Sequence, residues 1–379
     1  MKMSEHHIVE PDLKFIKDMK RAGGDSMKKC FQCATCSVVC NLTPDDSPFP
    51  RKEMIWAQWG QKDRLLSDPD VWLCHQCNDC SEKCPRGARP GDVLGAVRNM
   101  SFQHFAFPRF MGTWLSRPAY LPLVLGIPFA LLWILIGMYG NWTVPEGELK
   151  YSNFLSVAAI EGIYITLFFL AVIALAVGVN RFWKSMVHYH GEKGLMGAPV
   201  PNLLSVLPGI LAHGRFKECG ENKDRYWGHL GIFYGFLGAA TTTGIFTVVY
   251  YYGLGIHSPY PMSNPVKMLG NISALALLVG ALIVTFKRFS GDDKKSSYYD
   301  WSLIVLVFGL GLTGWASQFI RLADMRSIAY PNYFLHLLFV FYFFAYLPYS
   351  KMAHLAYRTV GMVFARQAQR DLVAKEDIA

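Results

Sequence analysis

Eight of the nine cysteines fall in two short runs, CFQCATCSVVC at 30–40 and CHQCNDCSEKCP at 74–85. The second run has the spacing C-x2-C-x2-C-x3-C-P, formed by Cys74, Cys77, Cys80 and Cys84. The first repeats it with Cys30, Cys33, Cys36 and Cys40, and Asn41 stands where the proline would be. Three thiolates at this interval wrap one face of a [4Fe–4S] cubane, and the fourth cysteine of each run crosses to the other cluster. The expected ligand sets are therefore Cys30, Cys33, Cys36 and Cys84 for one cluster, and Cys74, Cys77, Cys80 and Cys40 for the other. Zinc takes its cysteines in C-x2-C pairs and has no use for a third at the same interval. Clusters and free thiols both fit a reducing compartment better than an oxidising one.

A second set of candidate ligands is made of histidines. His229 stands in YWGHLGIFYGFLG, and His336 and His354 bracket YFLHLLFVFYFFAYLPYSKMAHL. Eighteen residues separate the latter two. On one continuous helix that is about five whole turns, so they share a face about 27 Å apart along the axis. The spacing nearly equals a bilayer's hydrocarbon thickness, placing His336 near the outer surface and His354 near the inner one. Pro348 is placed to bend this helix. His229, at the start of its own span, falls at the inner depth too, so His229 and His354 are expected to hold one b haem. The other reading of each histidine is an interfacial side chain bonded to lipid or water.

These ligands need elements to carry them. With 52% hydrophobic and 15% aromatic residues, the chain is too apolar for one soluble fold, and the excess lies beyond residue 118. The pattern predicts an all-α protein: a small helical, ferredoxin-like two-cluster domain at 1–100, an interfacial linker at 101–118, and then a six-helix transmembrane bundle. The spans are expected at 119–140, 153–178, 228–252, 267–286, 301–320 and 333–350. The first two form a pair at 119–178 and the last four one block at 228–357, with a cytoplasmic loop at 179–227 and a cytoplasmic tail at 358–379. Within the first domain, residues 12–19, 52–66 and 90–100 show helical signals; the middle stretch, with Ile55, Trp56, Trp59 and Leu65 on a helical repeat, is expected to cover the cluster loops. The segment 199–216 reads as amphipathic.

The net charge of +9 does not point to nucleic acid, because the basic residues lie between the apolar runs. They crowd 179–227, 287–300 and the tail, whereas 141–152 has only Lys150 and 253–266 has neither lysine nor arginine. Positive-inside orientation then puts both termini and the cysteine domain in the cytoplasm, in a multi-pass protein of the inner membrane. The first twenty residues contain no apolar stretch of the kind a secretory signal needs.

The cysteine domain resembles the small iron–sulfur subunit of heterodisulfide reductases. Residues of about 226–357 resemble the cytochrome b (gamma) subunit of respiratory nitrate reductases and the membrane subunit of heterodisulfide reductase. The fusion of the two is similar to the membrane subunit of the quinone-interacting membrane-bound oxidoreductase complexes of sulfate reducers. In such proteins a late helix carries two histidines eighteen apart, matched by His336 and His354. An earlier helix carries two histidines ten apart; His229 matches the first, and Ala239 stands at the second. An outer haem b on His336 would then take His257, in GLGIHSPYP, as the partner that its depth suggests. The resemblance makes Lys267 a quinone ligand, its other reading being a snorkelling side chain; Glu161, an acid inside a span, is a candidate for the same site or a hydrogen-bonded structural acid. Cys219, alone in the inner loop, is expected to be inert.

The function so implied is that of an electron-transfer protein within a larger complex. It would oxidise menaquinol from the membrane quinone pool and pass electrons through haem b and two [4Fe–4S] clusters. The acceptors would be soluble flavin- and iron–sulfur-containing proteins like the large subunit of heterodisulfide reductase, with adenylylsulfate reductase downstream. No strand–helix G-x-G-x-x-G, P-loop or CCG-type cysteine motif gives the chain a substrate site of its own. A membrane component of a heterodisulfide- or sulfite-reductase complex is the alternative within redox chemistry. A non-redox membrane anchor with zinc-binding cysteines is the rival of another class.

Overall fold

The computed structural model describes residues 9–44, 47–143, 146–190, 199–214, 216, 225–246, 248–290 and 297–368. Cys219 and the basic residues Lys193, Arg215, Lys217, Lys223, Lys294, Lys295, Arg370 and Lys375 lie outside them. Every regular element among the described residues is helical; one isolated antiparallel bridge joins Gly140 and Leu155. Short helices α1 (Leu13–Met19), α2 (Thr35–Val38), α3 (Arg51–Gln58), α4 (Lys62–Leu66), α5 (Asp70–Leu73) and α6 (Asp79–Glu82) lead into α7 (Pro90–His104) and α8 (Arg109–Ser116). Then follow α9 (Leu121–Tyr139), α10 (Val157–His190), α11 (Pro199–Ala212) and α12 (Arg225–Ala240). The chain closes with α13 (Pro265–Phe289), α14 (Tyr298–Leu322), α15 (Arg326–Tyr346) and α16 (His354–Gln367). Among the described residues, six helices are long and apolar enough to cross a membrane: Pro118–Tyr139, Val157–His190, Arg225–Gly253, Pro265–Phe289, Tyr298–Leu322 and Arg326–Tyr349.

The chain divides into two compact units. The first joins Met1–Gly112, Ala174–Lys223 and Lys351–Ala379. Its helices start on sequence signals: Asp12 caps α1 by accepting the amide of Phe15 at 2.8 Å, and Pro90 occupies the first turn of α7. The stretch expected as one helix over 52–66 is instead α3 and α4, divided at Gly60. This residue has φ of 67°, and a Cβ there would meet the backbone nitrogen of Asp12 at 2.9 Å. The core centres on buried Trp72, whose ring stacks on Tyr357 at 5.3 Å and meets Phe102 at 5.6 Å and Phe182 at 5.8 Å edge-on.

That core departs from the expected boundaries in three places. The linker does not begin at 101, because α7 continues to His104 and buries Phe102 and Phe105. Nor does the second span end at 178: Leu175, Val179, Phe182 and Met186 repeat every three or four residues, and this apolar face carries α10 onward as a soluble-type helix. The boundary expected between 357 and 358 falls inside α16, which buries Tyr357 and Phe364 in the same core.

The second unit joins Thr113–Ile173 and Asp224–Ser350. Here α12 and α13 pack backbone to backbone; a Cβ on Gly280 would lie 2.8 Å from the carbonyl of Gly228. The helix α14 opens with a capping box of Ser297 and Asp300, and Arg288 of α13 bonds the same aspartate at 2.9 Å. Past Ala240 the third span winds into π-helical turns at Thr241–Phe246 and Val249–Gly253. The expected single helix through His336 and His354 is broken. Here α15 ends at Tyr346, Leu347–Tyr349 is a 3-10 turn and Ser350 is extended. Pro348 has no N–H to continue the ladder, so the five-turn spacing does not apply.

Candidate functional site

The two cysteine runs fold alike. The second and fourth residues after Cys30 and Cys74 take left-handed φ: 62° at Gln32 and 68° at Ala34, 54° at Gln76 and 71° at Asn78. This conformation turns successive amides toward one concavity, a form that binds anions. The amide of Gln32 donates to Cys30 Sγ at 3.4 Å and that of Gln76 to Cys74 Sγ at 3.3 Å. Helices α2 and α6 then begin at equivalent positions and carry Cys36 and Cys80.

The fourth cysteines cross between the loops. Cys30, Cys33, Cys36 and Cys84 line one cavity, with Phe31, Arg51 and Arg86 on its wall. Cys40, Cys74, Cys77 and Cys80 line another, with Leu42, Phe49 and Leu94. Long side chains hold each loop, Arg51 Nε donating to the carbonyl of Gln32 in the first at 3.1 Å. Gln58 of α3 donates to the carbonyls of Met27 at 2.9 Å and Cys30 at 3.0 Å and accepts from Gln32 at 2.9 Å. Arg98 of α7 donates to the carbonyls of Val71 at 3.1 Å and Cys74 at 2.9 Å, and to Gln76 Oε1 at 2.9 Å. Neither Gln58 nor Arg98 was legible as a partner from spacing alone.

The donor sets fit iron–sulfur clusters. Burial, and then repulsion from neighbouring thiols, pushes Cys36 up to about 11 and Cys40 up to about 12, and raises Cys80 as well. Thiols crowded in this way ionise against a cation at their centre. Cys33 differs: it is exposed, and hydrogen bonds from Thr35 lower its pKa.

Beside the loops lies a buried ionic group that the sequence did not reveal. Lys52 bonds Asp70 and stands 3.4 Å from Glu53 and 3.5 Å from Asp68, all three acids being fully buried. Burial opposes the ammonium, but the three carboxylates outweigh it and raise the pKa of Lys52. Burial, only partly offset by Lys52, raises that of Glu53.

The histidines are distributed between the units. His354 opens α16 in the first, and its Nδ1 lies 2.7 Å from the carbonyl of Lys351. A carbonyl can only accept, so Nδ1 carries the proton. Burial, with Arg358, Lys351 and Arg98 adding to it, lowers His354 to about 4, and the ring is neutral at pH 7. Four residues on, Arg358 Nη2 reaches the carbonyl of Leu73, next to Cys74, at 3.4 Å.

In the second unit, His336 Nδ1 lies 3.0 Å from the hydroxyl of Thr313, which itself donates to the carbonyl of Gly309 at 2.6 Å. That hydroxyl therefore accepts from Nδ1. Gly314 makes room for the ring: a Cβ there would sit 3.0 Å from Cε1. His229 lies near the start of α12. His257 is exposed, its ring 4.6 Å from Tyr251, and among the described residues no hydrogen bond or ring contact joins it to His336. Lys267 is half-buried in the first turn of α13, its amide donating to the capping Asn264 at 3.4 Å. Glu161 of α10 accepts a hydrogen bond from the Tyr252 hydroxyl.

Comparison with known proteins accounts for both parts of the chain. Residues 26–88 match the family model of the 4Fe-4S dicluster domain. Citrate utilization protein B of Escherichia coli is 27% identical over 96% of this chain and 96% of its own length. The C subunit of the H(2):CoB-CoM heterodisulfide,ferredoxin reductase of Methanothermobacter marburgensis is 40% identical over 23% of this chain. A protein of Archaeoglobus profundus like the C subunit of heterodisulfide reductase is 31% identical over 27%. The chain spans about half the length of these two, 48% and 56% respectively. No solved structure matches it. The chain is thus an iron–sulfur electron-transfer protein related to the C subunit of heterodisulfide reductase, and residues 122–375, well over half of it, place it in the citrate utilization protein B family.

Proposed function

We propose that this protein exchanges electrons between a membrane quinone and a soluble flavin-containing partner. Cys30, Cys33, Cys36 and Cys84 would hold one [4Fe–4S] cluster, Cys74, Cys77, Cys80 and Cys40 the other, and His229 and His354 one b haem. When bound, these groups supply one-electron carriers. The observation that carries the reading is the seat of α16. Tyr357 stacks on Trp72, and Arg358 bonds the carbonyl of Leu73, so α16, which His354 opens, is anchored to the helix that leads into Cys74.

His336, oriented by Thr313, would ligate an outer haem, with His257 as its partner. Lys267 and the Glu161–Tyr252 pair would bind menaquinone and move its protons. With both termini cytoplasmic, the partner would resemble the large subunit of heterodisulfide reductase, and menaquinol would be the donor for adenylylsulfate reduction.

The full-length likeness to citrate utilization protein B favours a second reading, in which the partner acts on citrate and electrons run toward the quinone. The test of the membrane half is a haem count by pyridine haemochrome, with menadiol-dependent haem reduction, in wild type, His229→Ala and His354→Ala. Both variants should lose the same haem. Different residual spectra, or an intact haem complement in either variant, would break the pairing.

A further inference from the structure

The two cysteine-lined cavities differ in access. The one formed by Cys40, Cys74, Cys77 and Cys80 is lined by Leu42, Phe49 and Leu94, each nearly inaccessible, and its Cys77, at the position equivalent to Cys33, is half-buried. At the other, Cys33 is exposed, Phe31 is 67% exposed and Val38, at the end of α2, is 84% exposed. Electron exchange between proteins falls steeply with distance, so a soluble partner must approach where a ligating thiolate reaches the surface. Cys33 offers that approach. The chemistry of the surrounding surface is also defined. Arg86 lies 4.0 Å over the Phe31 ring, which fixes its guanidinium, and Arg51 Nε is bound to the carbonyl of Gln32 at 3.1 Å. Lys28, Lys29 and Lys83 flank the ligands in sequence, and Glu82 is the one acid within 28–37 and 82–87.

We infer that the face formed by Phe31, Cys33, Val38, Arg51 and Arg86 is the docking surface for a soluble redox protein whose own centre is ringed by acidic side chains. The inference rests on the two-cluster reading above and adds which site meets the partner and by what charge. An exposed aromatic and aliphatic centre with an arginine rim supplies the usual composition of a transient interface. The charge surplus steers an acidic surface onto it and makes association sensitive to salt.

The experiment uses the full chain, loaded with iron, and a plant-type acidic [2Fe–2S] ferredoxin as the probe. Binding is read by calorimetry at low and high ionic strength, and lysine acetylation is mapped with and without the probe. The expected result is salt-sensitive binding, protection of Lys28, Lys29 and Lys83, and no protection of Lys14 or Lys17. Charge reversal by Arg51→Glu with Arg86→Glu should weaken binding by on the order of tenfold or more, and Lys14→Glu with Lys17→Glu should leave it unchanged. The lysine map on the wild type stands even if the arginine variant loses iron. Absence of salt-sensitive binding, or protection spread evenly over all these lysines, would overturn the proposal. Failure of the two-cluster reading shows differently, as missing iron and missing cluster signals before any probe is added.

Discussion

The two cluster loops share a backbone and differ in almost everything that surrounds it. Both place left-handed residues at the same two positions, donate an amide to the first cysteine's sulfur and start a short helix at the same point. One is held by the neutral Gln58 together with Arg51 and has Cys33 exposed; the other is held by the cationic Arg98 and lined by buried apolar side chains. The repeated local sequence makes equivalent ligand loops. The unrepeated remainder of the fold makes them unequal, one suited to meeting a partner and the other to facing inward.

The largest effect should come from breaking one site at a time. Cys77→Ser is expected to remove or convert one cluster and destabilise the domain, whereas Cys33→Ser, at an exposed position, should remove the other with less loss of fold. Iron content and the reduced EPR signal measure the first effect, and thermal unfolding the second. Equal stability of the two variants would erase the distinction between a covered and an open site.

Next comes the ionic group that both loops border. Arg51 bonds the first loop, its neighbour Lys52 joins the buried acids, and Asp70 begins the helix before Cys74. Lys52→Met leaves Glu53, Asp68 and Asp70 without their ammonium and should cost about 3–5 kcal/mol, read as a fall in the urea midpoint of the loaded protein.

Arg98→Gln sharpens the electrostatic part of the comparison. Removing a positive charge from behind Cys74 disfavours the more negative, reduced state. The potential of the inward cluster should therefore fall while that of the outward cluster stays, as followed by EPR-monitored titration. A stability loss of about 1.5–3 kcal/mol should accompany it. The smallest expected change is Thr313→Val, which keeps shape but removes the acceptor of His336 Nδ1. A loss of about 1 kcal/mol with a shifted haem spectrum is expected, and an unchanged spectrum would detach His336 from any haem.

The sequence alone determined what depends on neighbours along the chain. Cysteine spacing sets the loops, because ligands three residues apart turn inward together. Apolar runs set the six long helices, because their length and hydropathy are local sums. The capping residues Asp12, Asn264 and Ser297 act within three positions of themselves.

Tertiary structure decided the rest through pairs far apart in the chain. Gln58 reaches Cys30 across 28 residues, Thr313 meets His336 across 23, and Arg358 reaches Leu73 across 285. No periodicity records such pairs. The same holds for the extension of α10 past 178, which depends on a core built around Trp72, and for the separation of His336 from His354, which a helical wheel joins and the break at Leu347–Ser350 divides. Exposure of Cys33 and cover over Cys80 belong to this class as well. Burial is a property of what packs against a residue, and for these two loops that packing comes from different parts of the chain.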